Sequence, residues 1–235
     1  VFAEAPKLIY WELTRACDLA CKHCRAEAIA ERDPWELSTE EAKALLAELR
    51  AFGDPPPQLV MTGGDPLKRP DFFELIRHGR SVGLPISVAP SGTPLLTSDA
   101  ISALADNGVV SMSLSIDGST ALSHDQFRGV EGCFDATMRA IHAVRAAALP
   151  LQINTLVTPG TMTELPGVFR LLRDLGIMRW SLFYLIGTGR GRALREIRPS
   201  EAEALHHWLY DILKTAPFQI KATEAPHFRR VAYMR

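Results

Sequence analysis

The sequence predicts an α/β fold built on a parallel sheet. Three observations carry this. Short apolar runs rich in β-formers alternate with helical stretches at intervals of about 25 to 35 residues, the spacing of crossover connections. Glycine or polar residues follow each strand run, at the edge where parallel α/β folds bind ligands. The 235 residues, 47% hydrophobic and 23% charged, suffice for one large domain or two small ones with a sizeable core.

The elements follow in order. Lys7–Leu13 reads as a buried strand. Ser38 and Glu41 have the spacing of a capping box, and Leu45, Leu46 and Leu49 form the apolar stripe of the helix they open. Gln58–Thr62 is the second strand, and Asp71 starts a helix through about Val82. Pro85–Ala89 is the third strand; Ser98 and Asp99 cap a helix that Gly108 stops. Val109–Ile116 is the fourth strand, Phe134–Ala148 a helix, and Leu151–Val157 the fifth strand. Thr163–Pro166 opens a helix to Leu175, Arg179–Ile186 is the sixth strand, and Pro199–Ser200 opens a long helix to about Thr215. Phe218–Ala222 has the composition of one more strand.

Net charge is −1, which gives no electrostatic footprint for nucleic acid or an anionic membrane. No apolar run approaches the length of a membrane span, and no secretory signal is evident. With its cysteine usage, this points to a reducing cytoplasm.

Three of the four cysteines, Cys17, Cys21 and Cys24, fall within eight residues after the first strand. Thiolates select iron–sulfur clusters, zinc or copper(I). Structural zinc takes four protein ligands, usually in two separated pairs, and no second pair is present. Three thiolates on a four-iron cluster leave one iron open for chemistry. A zinc site completed by His23 and a chance cluster of buried cysteines are the other readings of this spacing.

Cys17-x3-Cys21-x2-Cys24, then Thr62-Gly63-Gly64-Asp65-Pro66 after strand two and Ser115-Ile116-Asp117-Gly118 after strand four, resembles the radical S-adenosylmethionine superfamily. The resemblance covers nearly the whole chain and is similar to the branch of haem-biosynthesis enzymes and SPASM peptide maturases. It implies a partial (β/α)6 barrel at residues 1–215. Residues 216–235 would begin a C-terminal extension that is truncated here. It also implies a catalytic 4Fe–4S cluster held by Cys17, Cys21 and Cys24. On that cluster S-adenosylmethionine is cleaved reductively to a 5′-deoxyadenosyl radical, which abstracts a substrate hydrogen.

The same resemblance places the other site residues. His23 stands where relatives carry an aromatic near the adenine. Gly63 and Gly64 let the backbone approach the methionine moiety, and Asp65 replaces the more usual Glu. Ser91 follows strand three, where Ser91-Gly92-Thr93 departs from Ser-Asn-Gly. Ser115 and Asp117 sit where relatives contact ribose or methionyl groups; Asp117 reads equally as an Asx turn with Gly118. Arg128 matches an arginine on the cofactor carboxylate, with a surface ion pair as its alternative. Asn154 is a candidate adenosyl contact, or an internal hydrogen bond. Arg190 and Arg192, in Gly187-Thr188-Gly189-Arg190-Gly191-Arg192, are candidates for a substrate carboxylate or for solvent.

The implied substrate is a tetrapyrrole side chain undergoing haem-related decarboxylation. The implied electron source is an external one-electron donor such as flavodoxin or ferredoxin. A ribosomal-peptide maturase is the alternative within the family, and a non-catalytic iron–sulfur or zinc scaffold the alternative outside it. No cysteine follows Cys133, so an auxiliary iron–sulfur cluster would belong to a C-terminal segment missing from this sequence.

Overall fold

The computed structural model describes residues 5–235, which fall into two compact units. The first comprises the chain through Leu19, Ala26–Leu114 and Ala136–Pro150; the second comprises Ala20–Arg25, Ser115–Asp135 and Leu151–Arg235.

In chain order the first unit holds β1 (Leu8–Glu12), α1 (Thr39–Arg50), β2 (Gln58–Thr62), α2 (Phe72–Ser81), β3 (Ile86–Val88), α3 (Ser98–Asp106) and β4, whose full span is Ser111–Ser115. These strands pair in parallel and in sequence order: Leu8 lies beside Gln58, Leu59 beside Ile86 and Ser87 beside Ser111. Leu59, Met61 and Ile86 of the strands and Leu46, Phe72, Leu75 and Ile76 of the helices are fully buried, so the apolar stripes of α1 and α2 form one core with the sheet. The capping box on α1 is present: Ser38 accepts from Glu41 N, and the Glu41 carboxylate accepts from Ser38 N. On α3 the cap is Thr97, not Ser98, because the Thr97 hydroxyl reaches Ala100 N at 3.1 Å.

The second unit holds α4 (Ala121–Arg128), the start of α5 (Cys133–Ala146), β5 (Leu151–Val157), α6 (Pro159–Met162), α7 (Leu165–Arg173), β6 (Arg179–Tyr184), α8 (Pro199–Leu213), β7 (Gln219–Thr223) and α9 (Phe228–Met234). β5, β6 and β7 pair in parallel, with Asn154 beside Ser181 and Ser181 beside Lys221. One face of β6 carries Trp180, Leu182 and Tyr184, all buried; the Trp180 ring packs on Phe169 of α7 and Trp208 of α8 at centroid distances of 6.2 and 6.3 Å. By strand alternation the opposite face carries Gln152, Asn154, Arg179, Ser181, Gln219, Lys221 and Thr223. The seventh strand, expected at Phe218–Ala222, is real and lies one residue later; α4, α6 and α9 are additions.

Candidate functional site

The cysteine loop contributes Cys17 to the first unit and Cys21 and Cys24 to the second. None of the three forms a disulfide, and Cys17 and Cys21 are buried.

In the first unit, the chain leaving β1 is braced by a residue that sequence reasoning missed. Arg69 is 2% exposed; it donates to Leu13 O at 3.2 Å and Leu37 O at 3.1 Å, and pairs with Asp71 at 2.6 Å. Its guanidinium holds the Asp71 carboxyl down to about 2, against the opposing effect of burial. No motif marks Arg69 in the sequence; only its position after the Gly-Gly turn hints at a role.

The turn after β2 lies directly on the cysteine loop. Gly64 N donates to Thr14 O and Asp65 N to Ala16 O, both at 2.7 Å. A Cβ on Gly63 would stand 2.3 Å from Thr14 O, and one on Gly64 would stand 2.4 Å from Ala16 O. The sequence reading assigns these missing side chains to cofactor approach. In the structure the space is taken by cysteine-loop backbone, so the glycines are needed there first. Asp65 is fully buried; its carboxylate accepts from Thr93 Oγ1 at 2.7 Å and Leu67 N at 3.2 Å. Burial pushes its pKa up, and those hydrogen bonds oppose the rise. Ser91 donates to Gly64 O at 3.0 Å and lies 3.4 Å from Cys17 Sγ, which also accepts from Leu19 N at 3.4 Å.

In the second unit, α4 presents Arg128. Thr120 caps this helix, and Gly129 ends it with φ +76°, a conformation that glycine adopts readily. Arg128 Nη2 lies 2.5 Å from Asp117 Oδ2, and Nη1 points at Cys21 Sγ at 3.7 Å. Asp117 Oδ1 accepts from Leu156 N at 2.7 Å. Burial, the largest single effect, would push the Asp117 carboxyl up; the Arg128 guanidinium, together with His23, His124 and the Leu156 N–H, reverses this and holds the pKa below its ordinary value. Arg128 is thus not a surface residue, and the Asp117–Arg128 pair is one buried device facing a cysteine sulfur. Ser115 ends β4, and Asn154 on β5 accepts from Gln152 Nε2 at 2.8 Å.

His23 stacks on Phe127 with ring centroids 4.9 Å apart, and its Nδ1 is buried without a partner among the described residues. His124 Nδ1 accepts from Asp117 N at 3.2 Å, which requires a neutral ring. Burial, then the nearby Arg128 charge, lowers both histidines to about 4. The unfolded chain binds these protons near pH 6.5 and the folded chain only near 4, so stability should fall as pH drops from 6.5 to about 4. Asp117 titrates below its ordinary 3.8, outside that window. Urea midpoints across this range, with His124→Asn reducing the slope, check the prediction; a flat profile would contradict it.

The turn after β6 closes on the same cysteines. Arg190 Nε donates to Cys21 O at 2.9 Å, and Arg190 N donates to Cys24 O at 3.0 Å. Gly189, at φ +52°, approaches so closely that a Cβ would meet Arg25 O at 2.4 Å and Cys24 O at 2.5 Å. The sequence offers Arg190 to a substrate; the structure turns its Nε onto the cysteine loop. Gly189→Ala should therefore release iron to a chelator about tenfold faster than the parent. Gly187→Ala, where a Cβ would meet nothing within 4 Å, serves as the control, and equal rates in both variants would contradict the latch.

These residues suit an iron–sulfur cluster with a nucleoside-bearing ligand. None of the three cysteines is in a disulfide, and the sulfurs of Cys17 and Cys21 face N–H donors, which stabilise thiolate sulfur. A buried ion pair and an unpartnered imidazole nitrogen offer polar contacts beside Cys21 and Cys24.

Comparison with known proteins agrees. Residues 11–172 match the model of the "Radical SAM superfamily". The chain is 42% identical over 228 residues to an AdoMet-dependent heme synthase of Methanosarcina barkeri, covering 97% of this chain and 64% of that protein. It is 44% identical over 235 residues to the enzyme of that name from Oleidesulfovibrio alaskensis, covering 99% and 60%. The chain thus spans about three fifths of the length of these relatives. Among solved structures, Streptococcus suis SuiB bound to its precursor peptide SuiA superposes with a TM-score of 0.78 at 16% identity, over 98% of this chain and 52% of that one. That likeness shows the fold, an α/β partial barrel of parallel strands.

Proposed function

The chain belongs to the radical SAM superfamily, and we propose that it is the catalytic part of an enzyme that decarboxylates carboxylate side chains of a tetrapyrrole in haem formation. A 4Fe–4S cluster and S-adenosylmethionine are the cofactors of this family. When bound, they supply one-electron cleavage of the sulfonium and hence hydrogen-atom abstraction from substrate. Cys17, Cys21 and Cys24 would hold the cluster. In the first unit the Gly63–Gly64 turn holds the backbone just before Cys17, and in the second the Gly189–Arg190 turn holds the carbonyls of Cys21 and Cys24. Arg128, held by Asp117, offers a guanidinium to the methionine carboxylate, and the free His23 Nδ1 offers an acceptor or donor to the adenine. Asp65, Ser91, Ser115 and Asn154 complete the cofactor side of the proposal.

The observation that carries the haem-related reading is the identity of 42–44% over nearly the whole chain to proteins named AdoMet-dependent heme synthase. The peptide-bound neighbour is 16% identical and bears on the fold alone. No described helix is long and apolar enough to cross a membrane. We place the enzyme in the cytoplasm, served by a flavodoxin- or ferredoxin-type donor. Residues 1–215 would be its catalytic barrel and 216–235 the start of a C-terminal extension.

The experiment is anaerobic turnover of the reconstituted protein with dithionite, S-adenosylmethionine and an iron porphyrin bearing propionates. A product lighter by carbon dioxide and two hydrogens is expected. Modification of a precursor peptide with the porphyrin left intact would overturn the substrate assignment.

A further inference from the structure

The face of β5–β7 turned away from Trp180, α7 and α8 carries two cations that pair with no acid among the described residues. Arg179 Nε and Nη2 donate to Gln219 Oε1 at 3.1 and 2.8 Å, and Nη1 lies 3.4 Å from Gln152 Oε1. Gln152 is itself held by donating to Asn154. Two neutral amides thus orient the guanidinium without neutralising it, whereas Arg69, Arg128 and Arg230 each pair with a carboxylate. On the neighbouring strand, two residues beyond Gln219, stands Lys221, exposed and with no ion pair among the described residues. Between them sits Ser181, 1% exposed, with a hydroxyl that lacks a hydrogen-bond partner; Thr223 Oγ1 on the same face also lacks one. Buried hydroxyls ordinarily find partners, so this face is built for a polar ligand.

Its position along β6 sets the ligand's length. Arg179 begins the strand and Tyr184 ends it. The Gly189–Arg190 turn that grips Cys21 and Cys24 follows the Tyr184 end. At a rise of about 3.3 Å per residue, the guanidinium's strand position lies about 17 Å from that end.

We propose that Arg179 and Lys221 form an anion anchor that takes carboxylate side chains of the substrate remote from the one that reacts. The anchor rests on the tetrapyrrole reading and gives it a chemical requirement: a ligand with carboxylates on opposite edges. A fork-shaped guanidinium suits one carboxylate bidentately, and the lysine takes a second.

The test is binding to the reconstituted protein, read by quenching of tryptophan fluorescence and by calorimetry. The probes are coproporphyrin III, its tetramethyl ester and mellitate, an aromatic polycarboxylate that is not a tetrapyrrole. Arg179→Met and Lys221→Met should each weaken coproporphyrin and mellitate about tenfold and leave the ester unchanged. Arg179→Lys, which keeps the charge, should recover part of the loss. Lys221 is exposed, so its variant remains informative if Arg179→Met folds poorly. If mellitate binds through Arg179 and coproporphyrin does not bind, the anchor stands and the tetrapyrrole reading fails. If coproporphyrin binds parent and variants equally, the anchor is overturned and that reading survives. If neither probe binds the parent, the anchor is overturned.

Discussion

Arg128→Met should destabilise the fold by about 3–5 kcal/mol and abolish tight binding of S-adenosylmethionine. The reason is the carboxylate left behind. Asp117 is 2% exposed, and its Oδ2 lies 2.5 Å from the Arg128 Nη2. Removing the cation strands a buried charge, because the Leu156 N–H serves only the other oxygen. Without the cation, burial should raise the Asp117 pKa, so the variant should lose stability as pH rises above the carboxylate range, the opposite sign to the parent's histidine-driven loss on acidification. The double variant Asp117→Asn with Arg128→Met should regain most of the lost stability and none of the cofactor affinity. Urea unfolding gives the first quantity and equilibrium dialysis of cofactor the second. A double variant no more stable than Arg128→Met would show that the ion pair is not what the fold depends on.

Gly64→Ala should cost about 3 kcal/mol and prevent stable cluster loading. The added methyl would stand 2.4 Å from Ala16 O and 2.7 Å from Arg15 O, both backbone atoms that cannot rotate away. Relieving that contact breaks the 2.7 Å bonds from Gly64 N to Thr14 O and from Asp65 N to Ala16 O. Those bonds set where Cys17 begins. Gly79→Ala is the contrast, since its methyl would meet the flexible end of Ile86 at 2.6 Å rather than backbone. Iron and sulfide content after reconstitution, with circular dichroism as the folding control, measures the effect. Full loading in Gly64→Ala would remove the turn from any role in presenting Cys17.

Local signals in the sequence located most elements, but the strand read as buried at Lys7–Leu13 is an exposed one, with Leu8 and Tyr10 open to solvent. β2 and β5 fall on the expected residues because each is a short apolar run bounded by turn chemistry, and the Ser38–Glu41 box opens α1 as its spacing requires. α4 escaped notice because its eight residues have little apolar periodicity and bury only His124. The signals that would have found it are Thr120 three residues before Ser123 and Gly129 at the end. The cysteine triplet and the Gly-Gly turn are legible as chemistry. Their long-range partners are not: Arg190 meets Cys21 across 169 residues, and nothing in a single sequence links them. The same holds for two of the anchors of Arg69, the carbonyls of Leu13 and Leu37, which lie 56 and 32 residues away, whereas Asp71 is a near neighbour in the chain.

The central claim is that the Cys17–Cys24 loop holds a four-iron cluster with one iron open to S-adenosylmethionine. The most direct measurement is electron paramagnetic resonance of the anaerobically reconstituted, dithionite-reduced protein, before and after S-adenosylmethionine is added. A reduced 4Fe–4S signal that changes shape on addition, and that vanishes in Cys17→Ala, Cys21→Ala and Cys24→Ala, is the predicted result. Stoichiometric zinc with no cluster, or a cluster signal indifferent to S-adenosylmethionine, would contradict it.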